Sequence, residues 1–388
     1  MKERNAVVIG AGIGGLATAV GLTRAGWQVT VYERAQELRP AGGGIGLTPN
    51  GLRALNVLGA GDRVRAAAIE QRHGGIRSPN GAWISRTDLG FIRDRYGEPV
   101  VALHRAALIG ALRELLPPAV LATGTPVSHV DPGDARRRAE VHTTRGVHAA
   151  DLVIAADGIR STVRTGLFPG HPGLGYAGYT SWRVVLDAPE VTVAGETWGR
   201  GKRFAILPLP GGLVHCSALV VAPSGSRTWE NAARLAQHFG SWHAPIPELI
   251  HAIGAGTVFH DDVDELRTPL PRFHAGRVAL VGDAAHAMTP NLGSACLALE
   301  DAVVVAHTAA MAGTADIERS LARYTQSRRP RSVALAKLSR HIGTMGKLSF
   351  PPLVAARNGG FRIAGLTPSL TVRTLDAMMG WRPPSIPA

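Results

Sequence analysis

Three glycines, Gly10, Gly12 and Gly15, stand in the stretch VVIGAGIGGLATAVGL (residues 7–22), and Glu33 follows them. The spacing G-x-G-x-x-G suits a loop built to hold a pyrophosphate. One glycine allows the tight turn, one lets the anion approach the backbone, and one lets helix and strand pack closely. The anion then sits at a helix start, where free N–H groups and the dipole favour negative charge. Val7–Ile9 reads as a buried parallel strand. Leu16, Val20 and Thr23 continue at helical spacing, and Gly26 suits the residue just past the helix end. WQVTVYE reads as a second strand closing on Glu33, the acid that would hold a ribose hydroxyl. Strand, loop, helix, strand and acid in that order point to a bound dinucleotide. An acid at that strand end favours FAD or NAD over a cofactor with a 2′-phosphate, and the triplet alone does not choose between the two.

Two further stretches carry chemistry. DLVIAADGIRSTVR reads as a strand, then Asp157–Gly158, then a helix start with Ser161 suited to cap it. GRVALVGDAAHAMTPNLGSACLALEDA reads as a buried strand ending in Gly282–Asp283, a loop with Pro290, and a helix beginning near Gly293–Ser294.

With LHRAALIGAL around Arg105 and the closing WRPP, these motifs make the chain resemble the group A, single-component flavoprotein monooxygenases, the aromatic hydroxylases with the p-hydroxybenzoate hydroxylase fold. The resemblance covers nearly the whole chain. It implies an α/β architecture: a Rossmann-type FAD-binding domain (GR2-like), an inserted antiparallel β-sheet substrate domain and C-terminal helices. It also implies cofactor contacts. Gly10, Gly12, Ile13, Gly14 and Gly15 would lie at the pyrophosphate, and Glu33, with Arg34 beside it, at the adenosine ribose. Arg105 would reach the FAD from a helix start, and Asp283 would hydrogen-bond the ribityl chain. Asp157 and Gly158 would serve both FAD and a visiting nicotinamide cofactor. Gly44 and Ile45, within AGGGIGLTPN, would lie along the flavin. Pro290 and the Asn291–Ala295 backbone, with Gly293 and Ser294, would border the isoalloxazine ring. Reduced flavin carries negative charge near N1 and O2, and a helix starting at Ser294 would aim N–H groups there. Many relatives read G-Q-G or G-Q-A where this chain has Gly293, Ser294 and Ala295. Ala295 adds a Cβ where the backbone should approach the flavin, and Ser294 would replace the polar contact or cap the helix.

The central stretches GYAGYTSWRVVLD, VTVAGETWGRGKRFAILPLPGGLVHCSALVV and GTVFHDDVDEL alternate and carry aromatic residues, so they read as antiparallel strands. The expected division is an FAD-binding domain from residues 1–70, 100–175 and 268–340, a substrate sheet from 71–99 and 176–267, and a helical segment over 341–388. Within KRFAILPLPGGLVHC, alternation puts Arg203, Ala205 and Leu207 on one face. Arg203 and His215 align with positions that contact substrate in some relatives. Arg203 would hold an anionic or carbonyl group, and His215 would take a phenol proton. A phenol titrates near ~10 and an imidazole near ~6.5, so such a base is well matched. Arg183 is a third candidate for the reaction site. The bland reading, a half-buried strand histidine, stands beside that for His215. His286 and His260 read as structural.

The resemblance implies transient NADPH or NADH, reduction of bound FAD, O2 addition to give a flavin C4a-hydroperoxide, and attack on a small-molecule aromatic or heteroaromatic substrate, with secondary metabolism as one setting. No second G-x-G-x-x-G follows the first, which suits a nicotinamide cofactor that visits. The alternatives are a flavin-dependent epoxidase or halogenase-like enzyme, an oxidase, a non-catalytic flavin-binding protein, or an NAD-dependent dehydrogenase. The halogenase signature W-x-W-x-I-P is missing, and a dehydrogenase leaves Asp157–Gly158 and Gly282–Asp283 unexplained.

Bulk properties agree. The 388 residues carry a net charge of +13. The arginines are scattered, with DARRRAE the one dense run, in an expected hairpin loop, so no nucleic-acid partner is expected. Two isolated cysteines suggest no disulfide framework and no zinc site, and point to a cytoplasmic protein. The apolar N-terminus mimics a signal peptide, but glycine spacing accounts for it better. No apolar run reaches the ~18 residues of a membrane span. A monomer or homodimer is expected.

Overall fold

The computed structural model describes residues 4–38, 43–226, 232–253, 258–312, 316–365 and 368–387. Its central element is a six-stranded sheet. Asn5–Ile9 lies between Gln28–Tyr32 and Leu152–Ala155, with Leu121–Ala122 beyond the first and Val278–Leu280 beyond the second, all parallel. His274–Ala275 closes one edge antiparallel. These strands are short apolar runs buried on both faces, the pattern of a parallel sheet covered by helices.

Helix Ile13–Arg24 follows the first strand and packs against helix Ser294–Ala310. A Cβ on Gly21 would come within 2.8 Å of the Ala306 Cβ, so the glycine permits the close helix approach. Leu16 and Leu22 are fully buried there, each contributing roughly 1.5–3 kcal/mol. Gly26, with φ +75°, ends the helix as its spacing suggests.

A seven-stranded sheet forms the second layer. Its order is Phe259–Glu265, Gly175–Asp187, Leu213–Val220, Lys202–Pro208, Gly195–Trp198, His73–Arg77, Trp83–Asp88. Pairing is antiparallel except between Gly195–Trp198 and His73–Arg77, which run parallel. Val191–Val193, read as strand from sequence, is irregular here. The DARRRAE run fills the turn after Val127–Asp131 and enters strand Ala139–Thr143 with its last two residues. Helix Ile317–Gly346 runs through position 340 without a break and contains Pro330, and two further helices, Pro351–Gly365 and Pro368–Met379, follow it. Residues 41–42 of AGGGIGLTPN and 256–257 of GTVFHDDVDEL lie outside the described residues.

Candidate active site

The four acid- and glycine-bearing motifs come together for a topological reason. Gly10 follows Ile9, Glu33 follows Tyr32, Asp157 follows Ala155–Ala156, and Asp283 follows Leu280–Gly282, so all sit at the carboxyl ends of four adjacent parallel strands. Ligands in open α/β sheets bind at that edge.

Gly10 has φ +99°, and a Cβ there would meet the Ala156 carbonyl oxygen at 2.5 Å. A Cβ on Gly15 would stand 1.9 Å from the Gly10 carbonyl oxygen. These two glycines are demanded by the loop itself. Gly12 is different, because nothing lies within 4 Å of where its Cβ would be. It precedes helix Ile13–Arg24, whose start has no side-chain cap and no acid in its first turn. Its first N–H groups therefore face open space, a cradle for an anion. The Ile13 side chain is buried in the core, so only its backbone can face that space. Gly14 packs near the Ala298 methyl.

Glu33 accepts hydrogen bonds from the Ala11 N–H at 2.8 Å and the Ala35 N–H at 2.9 Å, which pin its carboxylate beside the glycine loop. Arg34 is exposed next to it. Asp157 Oδ2 accepts from the Val163 N–H at 3.2 Å, while its Oδ1 is buried with no partner among the described residues. Gly158 takes φ +81° in the turn that follows. Ser161 caps the next helix, its Oγ accepting from the Arg164 N–H at 2.9 Å. The buried Arg164 guanidinium donates to the carbonyls of Ile159, Asp283 and Ala284 and ties the two turns together.

Asp283 opens the short helix Asp283–His286. Its carboxylate accepts no hydrogen bond among the described residues. Burial raises its pKa against the opposing charges of His286, Arg105 and Arg164. Arg105 opens helix Arg105–Arg113, and its backbone N–H donates to the Gly43 carbonyl at 2.9 Å. Its guanidinium is open to solvent on one side of a crowded cleft. Desolvation there lowers its pKa, Asp283 opposes that, and Arg183 adds to it. An unpaired carboxylate, an orphaned Asp157 oxygen and an unfilled glycine cradle fit the ribityl, ribose and pyrophosphate groups of FAD.

Helix Ser294–Ala310 also starts without a side-chain cap. Gly293 is the capping residue and Ser294 the first helical one, so the Ser294 hydroxyl does not cap the helix. Ala295 packs partly against the main core. Pro290 and Gly293 are exposed in the same loop.

The seven-stranded sheet has two different faces. Trp182, Val184, Phe204, Cys216 and Ala218 bury against helices Ala232–Phe239 and Ile246–Ala252. His260 stacks on Trp182 at 4.4 Å, on that covered side. On the opposite face the register lines up Arg183 with Ser217 and Ala205, Val185 with His215 and Leu207, and Ser181 with Leu219 and Arg203. This face turns to the cleft. The Cβ that Gly44 lacks would lie 2.6 Å from the His215 Cβ, so His215 packs directly on strand Gly44–Leu47. Ile45 follows in that strand and packs against the core. Burial, with the charge of Arg183 beside it, lowers the His215 pKa to about 4. Its Nδ1 has no partner among the described residues. Arg183 pairs with Asp261.

Arg203 is 3% exposed and already engaged. Its Nη2 donates to Asn291 Oδ1 at 2.6 Å, Nη1 lies 3.5 Å from the Glu196 carboxylate, and the guanidinium sits 5.0 Å from the Trp198 ring centroid. Asn291 in turn donates to Thr289 Oγ1 and the Ser339 carbonyl, both at 2.9 Å. Arg203 thus links the sheet to the loop that carries Pro290 and Gly293.

Sequence reasoning missed a buried charge network beneath the site. Asp301 accepts from the Gly282 N–H at 2.9 Å, His286 Nε2 at 2.6 Å and Arg328 Nε at 2.7 Å. Burial alone would raise the Asp301 pKa, but His286 and Arg328 override it and hold it at about 2. Glu300 binds Arg328, Arg331 and Asn50. The signal was present: two adjacent acids inside the apolar helix SACLALEDAVVVAH require buried cations.

Residues 3–339 match the family model described as FAD binding domain. The chain is 36% identical over 346 residues to an aurachin C monooxygenase/isomerase of Stigmatella aurantiaca, covering 88% of this chain and 89% of that protein. It is 33% identical over 379 residues to a 2-heptyl-3-hydroxy-4(1H)-quinolone synthase of Pseudomonas aeruginosa, covering 95% and 96%. A structure of Klebsiella pneumoniae HpxO complexed with FAD and uric acid superposes with a TM-score of 0.87 at 29% identity, covering 97% and 96% of the two chains. The chain belongs to the FAD-binding-domain family that contains the group A flavoprotein monooxygenases, and it is an FAD-dependent monooxygenase.

Proposed function

We infer that the protein uses NADPH or NADH as a transient reductant and hydroxylates a phenolic or heteroaromatic small molecule with O2, as a cytoplasmic monomer or homodimer. The three-part domain division given by the sequence goes with this reading. The observation that carries it is a convergence. His215, on the open face of the sheet, packs on Gly44, whose strand pairs with His104, and Arg105 next to it donates its backbone N–H to the Gly43 carbonyl at 2.9 Å. The cofactor cradle and the candidate substrate face therefore share one cleft.

Bound FAD supplies the two-electron chemistry that activates dioxygen. The chain's own residues do the rest. The Gly10–Gly15 backbone would hold the pyrophosphate, Glu33 the adenosine ribose and Asp283 the ribityl chain, with Arg105 and Asp157 alongside. The open start of helix Ser294–Ala310 would favour negative charge on a flavin ring beside it. His215, whose burial puts its pKa well below that of the imidazole expected from sequence, stays neutral and accepts a hydrogen bond from a substrate O–H or N–H through a ring nitrogen. Arg183 stabilises negative charge that develops on that group, and Arg203 keeps the Asn291 loop in register with the sheet. The apolar neighbours Ala205, Leu207 and Val185 exclude water. The relatives that act on quinolone and urate rings support a flat heteroaromatic substrate.

The test is anaerobic stopped-flow reduction of the FAD-loaded protein by NADPH and NADH, with a panel of phenols and quinolones, followed by product analysis in air. Ring-dependent reduction with hydroxylated product is expected. Failure of both nicotinamides to reduce the flavin under every condition would overturn the reading.

A further inference from the structure

The turn that presents Asp283 is held from behind by a second carboxylate. Gly282, at φ +59°, lies so close to helix Ser294–Ala310 that a Cβ there would stand 3.1 Å from the Ala298 Cβ. Asp301, fully buried, follows one turn further along the same helix. Its Oδ2 accepts from the Gly282 N–H at 2.9 Å and from His286 Nε2 at 2.6 Å. Gly282 is the residue before helix Asp283–His286, and His286 is the last residue in it. One oxygen therefore ties both ends of the turn. The other, Oδ1, accepts from Arg328 Nε at 2.7 Å, which fixes the carboxylate to helix Ile317–Gly346.

The turn is held from a second side as well. The Arg164 guanidinium donates to the Asp283 and Ala284 carbonyls at 3.3 and 3.2 Å. A helix of four residues is a single turn, too short to keep its shape unaided. Its shape comes from these outside groups. The bonds to Asp301 are charge-assisted and made where water cannot compete. A buried ion pair adds little net stability, because desolvation offsets the attraction. Its effect here is geometric: Asp301 uses its oxygens on the turn and on Arg328, and the Asp283 carboxylate is left without a hydrogen bond among the described residues.

We propose that Asp301, held by Arg328, is a positioning residue of the cofactor site: it fixes the Gly282–His286 turn and, through it, the place of the Asp283 carboxylate. The proposal rests on the reading that Asp283 holds the ribityl chain of FAD.

FAD titration of the apoprotein tests it, with thermal melts of the same samples. Asp301→Leu combined with Arg328→Met replaces the pair by apolar side chains of similar volume, a change that is often neutral for stability. Glu300 keeps Arg331 and Asn50 in that variant. The apoprotein should melt close to the parent and hold FAD about tenfold or more weakly. His286→Leu removes one bond to Asp301 and should weaken FAD by about threefold or more, while His286→Gln, with an N–H at similar reach, should restore most of the loss. Beside Asp283→Asn, the His286→Leu loss should largely disappear, because both act through one contact; a merely structural role would add in full. If the double variant does not fold, the His286 series decides alone. Asp283→Asn binding FAD like the parent removes the ribityl reading and the proposal with it. With Asp283→Asn weakened, the proposal alone is overturned if His286→Leu holds FAD as tightly as the parent, if a folded double variant does so, if His286→Gln is as weak as His286→Leu, or if the His286→Leu loss is undiminished beside Asp283→Asn.

Discussion

Arg203 Nη2 lies 2.6 Å from Asn291 Oδ1, joining a strand of the seven-stranded sheet to the loop before helix Ser294–Ala310. The guanidinium is buried, so the bond is made where water cannot replace it. Asn291→Ala should cost about 1–3 kcal/mol through the stranded Arg203 donor. Urea denaturation measures this, and an unchanged midpoint would show that the bond contributes nothing net.

Gly12 and Gly15 should behave oppositely. Gly12→Ala puts a methyl into open space, so the apoprotein should keep its melting temperature to within a few degrees. The methyl occupies the anion cradle, and FAD affinity should fall by roughly tenfold or more. Gly15→Ala places its Cβ 1.9 Å from a backbone oxygen and should destabilise the fold itself. Thermal melts and FAD titration of both variants separate the two roles. Equal behaviour would refute the assignment.

Asp283 has a folded-state pKa above its unfolded value. The native apoprotein therefore binds the proton more tightly, and stability falls as pH rises from the unfolded pKa through the folded one. Asp283→Asn removes that penalty. The apo variant should melt higher than the parent at neutral pH and yet hold FAD more weakly. A variant that retains FAD fully would remove the ribityl role.

His215 titrates at about 4 in the folded protein, well below the ~6.5 of a free imidazole. Sign and window follow: between these values the unfolded chain takes up a proton that the folded one refuses, so stability drops as pH falls through that range. His215→Gln should flatten this part of the stability profile. In catalysis, the acidic limb attributable to His215 should lie near pH 4–5 rather than near neutrality. A limb near 6.5 that vanishes in His215→Gln would contradict the buried geometry.

The cofactor half was legible because its constraints are local. Gly10, Gly15 and Gly26 are fixed by turns a few residues long, and Ser161 caps a helix that begins at the next residue. The missed features depend on distant partners. Nothing near Arg203 announces Asn291, which is 88 positions away. The Asp301–Arg328 pair spans 27 positions and exists only because helix Ile317–Gly346 packs on helix Ser294–Ala310. The parallel pairing of Gly195–Trp198 with His73–Arg77 closes a very long loop. Alternation could assign residues to a sheet face there, but not name the neighbouring strand.

The two-faced sheet also separates what change can touch. Even positions such as Phe204, Ile206, Cys216 and Ala218 face helices or their packing, and odd positions such as Ala205, Leu207, His215 and Ser217 face the cleft. A lineage, or a designer, can rewrite cleft-facing positions such as Ala205, Leu207 and Ser217 to admit a differently shaped ring while Arg203 and the hydrophobic layer that keeps the strands in register stay untouched. Substrate range becomes a nearly independent variable, adjusted on a surface whose other side supplies the rigidity.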